Sequence, residues 1–162
     1  MRRAEDAAIR KLGERSLSVF ELRAYLKKKA YKEEEISRVV TDLLKAGYLD
    51  DERFCREYFR YAFGKNKGKQ RVFAELGQKG VEQSLIQNAY EDFLSQLSLE
   101  GGQIDEMEMA RKETEKILRL CDLSGEDPVP KKIQGRIGRK LHSFGYSTGI
   151  IYSILEELKS EK

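Results

Sequence analysis

The stretch that decides the fold is residues 47–81, GYLDDERFCREYFRYAFGKNKGKQRVFAELGQKGV. Gly47 is suited to end one helix and Asp50 to cap the next, because glycine adopts left-handed backbone and aspartate accepts amide hydrogen bonds. Apolar residues then recur at helical spacing and predict the packed side of that helix: Phe54, Cys55, Tyr58, Phe59, Tyr61 and Ala62. A loop and a further helix, beginning near Arg71, complete the predicted unit.

Two basic strips stand out against this pattern. Between Arg53 and Lys79 there are eight basic residues and two acids. The first strip consists of Arg53, Arg56 and Arg60, which share one helix face, followed by Lys65, Lys67, Lys69 and Arg71. The second strip, in a segment without acids (128–149), consists of Lys131, Lys132, Arg136, Arg139 and Lys140. Residues 81–109 hold seven acids and no base, so the charge is banded along the chain.

The apolar pattern of this stretch occurs three times. In the first copy its positions are Leu22, Leu26, Ala30, Tyr31, Ile36, Val39, Val40 and Leu43. Fifty residues later they are Val72, Leu76, Gly80, Val81, Ile86, Ala89, Tyr90 and Phe93. In the last copy, 115 residues after the first, they are Ile137, Leu141, Gly145, Tyr146, Ile151, Ile154, Leu155 and Leu158. The residue at Ala30, Gly80 and Gly145 predicts a left-handed turn between two helices.

Each copy is preceded by a helix of its own, which the apolar spacing places near 3–12, 51–63 and 103–120. In the first of these helices Ala4, Ala8, Ile9 and Leu12 are expected to face inward, and Ser18 with Glu21 forms a capping-box pattern for the next helix. The sequence therefore predicts an all-α fold of three tandem three-helix, helix-turn-helix-like modules, at 1–48, 49–98 and 99–162. Modules of this size need one another for stability, so we expect them in a row, as an elongated, curved molecule.

Composition limits the classes of protein. The chain has 162 residues, a net charge of +3 and 36% charged residues, which favours helices with hydrated outer faces. We expect no signal peptide and no membrane span, because no apolar run approaches spanning length. Cys55 and Cys121 have no metal or redox spacing, so we expect two reduced cysteines and a cytoplasmic protein.

An enzyme is not expected, because no catalytic constellation assembles. His142 is the only histidine, which excludes histidine pairs and histidine-rich metal sites. Residues 64–69 lack the spacing of a phosphate-binding loop, and no strand precedes them. Asp50, Asp51 and Glu52 are ordinary helix-start acids. We therefore expect no catalytic, metal or cofactor site.

The basic strips allow two interpretations. Each is a solvated helix face, or the two together contact a long anionic partner. The absence of acids from the second strip and the presence of two strips on separate copies favour the second interpretation.

Two motifs resemble the RecX family of bacterial regulators of the RecA recombinase. These are G-Y-L-D-D-E-R-F at 47–54 and the run K-G-x-x-R-hydrophobic-x-x-E-L-x-x-K-G-hydrophobic at 67–81. The first and last copies fit the family in weaker form. Phe73 departs from the polar residue expected at its position, and the family pattern gives no role to the acidic segment 100–108.

The resemblance implies a non-enzymatic protein that lies in the groove of the RecA–DNA filament. It would inhibit ATP hydrolysis, strand exchange and co-protease activity, and so act in DNA repair, recombination and the SOS response. The expected partners are the RecA filament and single-stranded DNA, and the protein is expected to be a monomer. Both basic strips would supply the contacts. The rival interpretation is a helix-turn-helix regulator that binds duplex DNA sequence-selectively.

Overall fold

The computed structural model describes residues 2–123 and 128–159, and in these ranges the regular structure is entirely α-helical. The helices are α1 (Arg2–Glu14), α2 (Val19–Lys28), α3 (Glu33–Ala46), α4 (Asp51–Gly64), α5 (Lys69–Gln78), α6 (Gln83–Leu99), α7 (Glu106–Leu120), α8 (Lys131–Ser143) and α9 (Thr148–Lys159). The predicted all-α class is confirmed. None of the described helices is both long and apolar enough to cross a membrane.

The chain divides into two compact units. Unit 1 comprises Met1–Tyr58 and Glu75–Phe93, and unit 2 comprises Phe59–Ala74 and Leu94–Lys162. Helices α4, α5 and α6 each contribute residues to both units. Within unit 1, α1, α2 and α3 pack on one another, and within unit 2, α7, α8 and α9 do the same. The division into three modules at 1–48, 49–98 and 99–162 stays a prediction.

The core of unit 1 follows the apolar spacing of its helices. Ala4 and Ala8 of α1 are fully buried against Leu22 and Leu26 of α2, which lie in the same cluster as Ile36 of α3. Each buried leucine or isoleucine contributes about 1.5–3 kcal/mol of transfer free energy. Helix α2 begins with the predicted capping box, in which the amide of Glu21 donates to Ser18 Oγ at 3.1 Å and the amide of Ser18 donates to Glu21 Oε1 at 3.2 Å.

The boundary between α3 and α4 is also as predicted. Gly47 ends α3 with φ +83°, in the left-handed region. The carboxylate of Asp50 then accepts from the amides of Glu52 and Arg53, at 3.0 and 3.1 Å, and so caps α4. Two short-range signals thereby place the start of the helix that carries the first basic strip.

The three predicted turns have the same backbone geometry. Ala30, Gly80 and Gly145 adopt φ values of +71°, +87° and +89°. The amide of the following apolar residue donates to the carbonyl five residues back, at 3.2 Å in each copy. These bonds join Tyr31 to Leu26, Val81 to Leu76, and Tyr146 to Leu141. The repeat inferred from the sequence is therefore present as three closely similar helix ends.

A joint between consecutive copies also repeats. In unit 1, Ser18 Oγ donates to the carbonyl of Lys79 at 2.6 Å, and the amide of Val19 donates to Asp51 Oδ1 at 2.9 Å. Burial raises the pKa of Asp51, although the hydrogen bond from Val19 acts in the opposite direction. The start of α2 in the first copy is thus bonded to two parts of the second copy. One is the end of α5, and the other is an acid in the first turn of α4.

An equivalent joint in unit 2 links the second copy to the third. Each of its two hydrogen-bond donors lies fifty residues after the corresponding donor in unit 1. The amide of Gly68 donates to the carbonyl of Phe144 at 2.6 Å, and the amide of Lys69 donates to Glu106 Oε2 at 2.7 Å. Asp105 caps α7 by accepting from the amide of Glu108 at 3.1 Å. The acidic segment that the family pattern left without a role therefore starts α7 and closes this joint.

Unit 2 also contains a buried carboxylate, that of Glu113, which contacts the loop 64–68. The carboxylate of Glu113 accepts from Asn66 Nδ2 and from Lys116 Nζ, each at 2.9 Å. The hydroxyl of the buried Tyr146 donates to the carbonyl of Asn66. Burial, with Glu106 and Glu113 adding, raises the pKa of Tyr146, so its proton stays in this bond at ordinary pH. The loop 64–68 is thereby fixed from three directions.

Some predicted details are wrong. Ile9, expected to face inward, is 42% exposed, and Tyr61, assigned to the packed side of α4, is 55% exposed. Phe63 is buried in α4 one turn after Phe59, and the two rings stack at 6.0 Å, so the apolar face runs through Phe59 and Phe63 and leaves Tyr61 on another side of the helix. The sequence also predicts a loop at 122–130 with Pro130 as the first residue of the next helix, because proline suits that position. Pro130 is instead the N-cap residue of α8, and residues 124–127 of the loop lie outside the described residues.

Candidate partner-binding surface

The arginines of α4 are held by local contacts that leave much of each side chain in solvent. In unit 1, the guanidinium of Arg53 donates to the carbonyl of Tyr48 at 3.3 Å, and that of Arg56 lies 3.7 Å from the Glu52 carboxylate. In unit 2, Arg60 lies 3.8 Å from the Glu100 carboxylate, with both side chains about half exposed. Exposed pairs of this kind contribute about 0–1 kcal/mol, so a more strongly charged partner can replace them.

The loop after α4 carries two lysines around an exposed tyrosine. The ammonium groups of Lys65 and Lys67 lie 5.7 and 5.9 Å from the ring centroid of Tyr61. Lys69, at the start of α5, lies 5.3 Å from the ring of Phe73, which itself stacks on Phe59 at 6.2 Å. Phe73, unusual for the family motif, is therefore a partly buried wall of this surface.

Members of the two predicted strips meet within unit 2, at Phe144. The guanidinium carbon of Arg71 lies 5.5 Å from the Phe144 ring centroid, and Lys140 Nζ lies 4.9 Å from it. Arg71 Nη1 also donates to the carbonyl of Ser143 at 2.9 Å. That carbonyl is at the negative end of α8, where a cation is stabilised by the helix dipole. Arg71 therefore belongs to the joint as well as to the basic strip.

The second strip projects from α8. Its five side chains, Lys131, Lys132, Arg136, Arg139 and Lys140, are all exposed. Ile137 and Leu141 are fully buried on the opposite side and hold α8 in unit 2. Gln134 Nε2 donates to the carbonyl of Val129 at 2.9 Å and fixes the start of the helix. Arg136 Nη1 is 3.6 Å from Cys121 Sγ.

The structure adds two aromatic residues that the sequence did not assign to this surface. Periodicity placed Tyr61 on the packed side of α4, yet it lies beside Lys65 and Lys67, and the half-buried Phe144 lies between Arg71 and Lys140. We define the unit 2 surface as Arg60, Tyr61, Lys65, Lys67, Lys69, Arg71, Lys131, Lys132, Arg136, Arg139, Lys140 and Phe144. A hint was available for Phe144, because it follows Lys140 at i+4 and helical neighbours at that spacing touch.

The side chains of this surface are of the kinds that recognise anions. Guanidinium and ammonium groups donate hydrogen bonds to phosphate or carboxylate, and aromatic rings offer flat faces for stacking. Within residues 2–123 and 128–159, no group of three or more histidine, cysteine, aspartate or glutamate residues is placed to hold a metal ion.

Comparisons with known proteins decide the family. Residues 4–43 match the family model of the first three-helix domain of RecX, and residues 50–89 match that of the second. A regulatory protein RecX from Mycolicibacterium smegmatis is 27% identical over 161 residues, which cover 98% of this chain and 81% of that protein. The chain belongs to the RecX family. The two matched ranges fall within the first and second copies of the repeat.

Other RecX proteins also match this chain, over different shares of its length. A regulatory protein RecX from Vibrio vulnificus is 36% identical over 90 residues, 56% of this chain and 59% of that relative. The alignment with the Vibrio parahaemolyticus RecX likewise spans 56% of that protein's length. The crystal structure of RecX from Lactobacillus salivarius is 21% identical, with a TM-score of 0.72 and coverage of 96% of this chain and 94% of that one. At this identity the likeness confirms the fold.

The two basic strips differ in how they lie relative to the RecX models. The first strip falls wholly within the matched second domain, 50–89, whereas the second lies beyond both matched ranges. The assignment of α8 to the surface therefore depends on the packing of unit 2 and on its charges.

Proposed function

We propose that this chain is a non-catalytic regulator that binds the RecA recombinase filament on DNA. There it inhibits ATP hydrolysis, strand exchange and co-protease activity. The proposal is supported by membership of the RecX family, whose matched relatives are named regulatory proteins. The observation that carries the binding surface is the convergence of Arg71 and Lys140 on Phe144.

The charges of the unit 2 surface fit an acidic partner. The segment 128–149, which includes α8, has no acid, so its five exposed cations have no local counter-charge on their own segment. Gathering like charges on one surface is unfavourable until an anionic partner arrives, which makes association sensitive to salt. The aromatic rings add contact area that does not depend on salt. A filament of protein on DNA offers both phosphates and carboxylates.

The decisive experiment is RecA ATPase on single-stranded DNA with this protein titrated in. We expect the rate to fall with increasing protein, because bound regulator blocks the filament. A variant with Arg139→Ala and Lys140→Ala should inhibit less, since both side chains are exposed and their loss removes charge without emptying the core. The matched control is Lys45→Ala with Lys112→Ala, which removes two exposed charges elsewhere.

Three outcomes count against the proposal. Absence of inhibition by the wild type refutes the function. Equal inhibition by both double variants refutes the surface. Sequence-selective binding to duplex DNA, with no effect on RecA, supports the helix-turn-helix regulator instead.

The first strip permits a second test that separates fold from function. The triple variant Arg53→Ala, Arg56→Ala, Arg60→Ala places a good helix former at half-buried and exposed positions and loses weak ion pairs and one hydrogen bond to a carbonyl. We expect a small change in melting temperature and a large loss of RecA inhibition. Phe54→Ala should do the reverse and cost about 3–5 kcal/mol of stability, because Phe54 is buried. If the triple variant melts normally and inhibits fully, the first strip is only a hydrated face.

A further inference from the structure

A second basic and aromatic site lies in unit 1, outside the surface described above. It is a pocket of about 240 Å³ between α1 and the turn that follows α2. Its lining residues are Arg3, Asp6, Ala7, Arg10, Tyr25, Lys29 and Tyr31. Arg3, Arg10 and Lys29 are exposed, and Asp6 is the one acid in the lining, so the pocket carries a net positive charge.

One aromatic wall of the pocket, Tyr25, contacts two lysines. The ammonium groups of Lys11 and Lys29 lie 5.1 and 5.7 Å from the ring centroid of Tyr25. The hydroxyl of Tyr31 donates to the carbonyl of Arg3 at 3.3 Å and ties the turn to α1. Both rings are half-buried and pack against the core of unit 1, so the walls of the pocket are anchored while its charged side-chain ends lie in solvent.

The repeat relates this pocket to equivalent positions in the second and third copies. Arg3 and Arg10 stand fifty residues before Arg53 and Arg60, two members of the first basic strip. Lys29 is the counterpart of Lys79 and Phe144, whose carbonyls accept the joint hydrogen bonds from the preceding copy. In the first copy the corresponding place is the open pocket.

A second copy of this chain is a poor occupant, because its charge is wrong. The joint would have to be made by the start of α8, which carries Lys131 and Lys132 after Pro130. Those lysines would face Arg3, Arg10 and Lys29, and like charges oppose such a contact. The net positive charge of the lining favours an anionic occupant instead.

We propose that this pocket binds a single-stranded nucleic acid, with phosphates on Arg3 and Arg10 and a base stacked on Tyr25. The two arginines are two helical turns apart, about 10 Å along α1, so one strand reaches both. Stacking of a base on an aromatic ring is stronger than an exposed cation–π contact, so a base displaces the Lys29 ammonium and frees it for phosphate. An acidic peptide would use the charges but not the ring. The inference deepens the proposed function by naming DNA as the partner of the first copy.

The test measures binding of the full chain to fluorescent oligothymidylate by anisotropy, without RecA. Two phosphate contacts on a single strand make the plot of log affinity against log salt concentration steeper by about 1.4. At about 0.1 M salt they correspond to an affinity about 25-fold higher. We expect Arg3→Ala with Arg10→Ala to show that loss and that shallower slope. The control is again Lys45→Ala with Lys112→Ala. The proposal is overturned if the two double variants bind with equal affinity. It is also overturned if the wild type does not bind.

A second arm tests the base. Tyr25→Leu keeps an apolar side chain against the core but removes the ring, and its melting temperature reports folding. We expect it to weaken binding of oligothymidylate and leave binding of an abasic strand of equal length unchanged. Equal loss for both strands overturns the stacking, and tighter binding of oligoglutamate than of DNA overturns the nucleic acid. RecA ATPase is measured in parallel, so wild type that binds DNA but fails to inhibit refutes only the proposed function.

Discussion

Gly145 offers a sharp test of the joint in unit 2. Its φ is +89°, and a Cβ built on it would lie 2.4 Å from both the amide nitrogen and the Cβ of Arg71. Since the Arg71 backbone cannot rotate away, Gly145→Ala must push α5 and the end of α8 apart. Gly47 is the matched control, because its φ is +83° and nothing lies within 4 Å of a Cβ built there.

The expected cost can be worked from these contacts. Both substitutions place alanine in left-handed backbone, at about 1–2 kcal/mol. Only Gly145→Ala also disturbs the 2.6 Å bond from Gly68 to Phe144 and the 2.9 Å bond from Arg71 to Ser143. At about 0.5–1.5 kcal/mol for each hydrogen bond, the extra loss is about 1–3 kcal/mol.

Native-state hydrogen exchange measures this loss at the joint itself. Because the chain has two compact units, a single global unfolding transition is a less direct measure. We expect protection of the Gly68 amide to fall by about 5- to 150-fold in Gly145→Ala and to stay near the wild-type value in Gly47→Ala. If the two variants lose equal stability and Gly68 remains protected in both, the close approach of α5 to the end of α8 is refuted.

Two further predictions concern unit 1. Ser18→Ala removes a helix cap and the bond to Lys79, so we expect a loss of about 1–3 kcal/mol in urea unfolding. Ser147→Ala removes a cap alone and should lose about half as much, and equal losses would contradict the joint. Burial raises the pKa of Cys55 from 9.0 to about 12, so this thiol's contribution to stability is present below pH 9 and is lost as the unfolded thiol ionises. Wild type should therefore lose about 1.4 kcal/mol per pH unit more than Cys55→Ala between about pH 9 and pH 12, and parallel stability curves would contradict that burial.

The repeat could be predicted because its signals are local. Ala30, Gly80 and Gly145 are spaced by offsets that preserve every apolar position, and all three adopt positive φ as expected. Caps such as Ser18 and Asp50 are set by the few residues around them. Helix ends and buried faces follow from short-range chemistry that each copy carries independently.

The joints could not be predicted, since half of their acceptors are backbone carbonyls and the other half, Asp51 and Glu106, are acids that a sequence assigns equally well to helix starts. The oxygens of Lys79 and Phe144 accept because of where the helices end, and any residue at those positions would present the same atom. Tyr61 was misassigned for a related reason. Periodicity tells which side of a helix is apolar, but not how far the neighbouring elements extend over that side.

The joint also changes how the candidate surface must be tested. Arg71 is bonded to the end of α8 and stacked on Phe144, so its removal would weaken packing and partner binding together. Lys140 reaches the same ring from α8 as an exposed side chain, and the joint hydrogen bonds do not involve its ammonium group. A loss of inhibition in Lys140→Ala with unchanged exchange at Gly68 therefore reports binding alone. The same loss in Arg71→Ala is informative only after the effect on the joint has been subtracted, which a double-mutant cycle of the two residues provides.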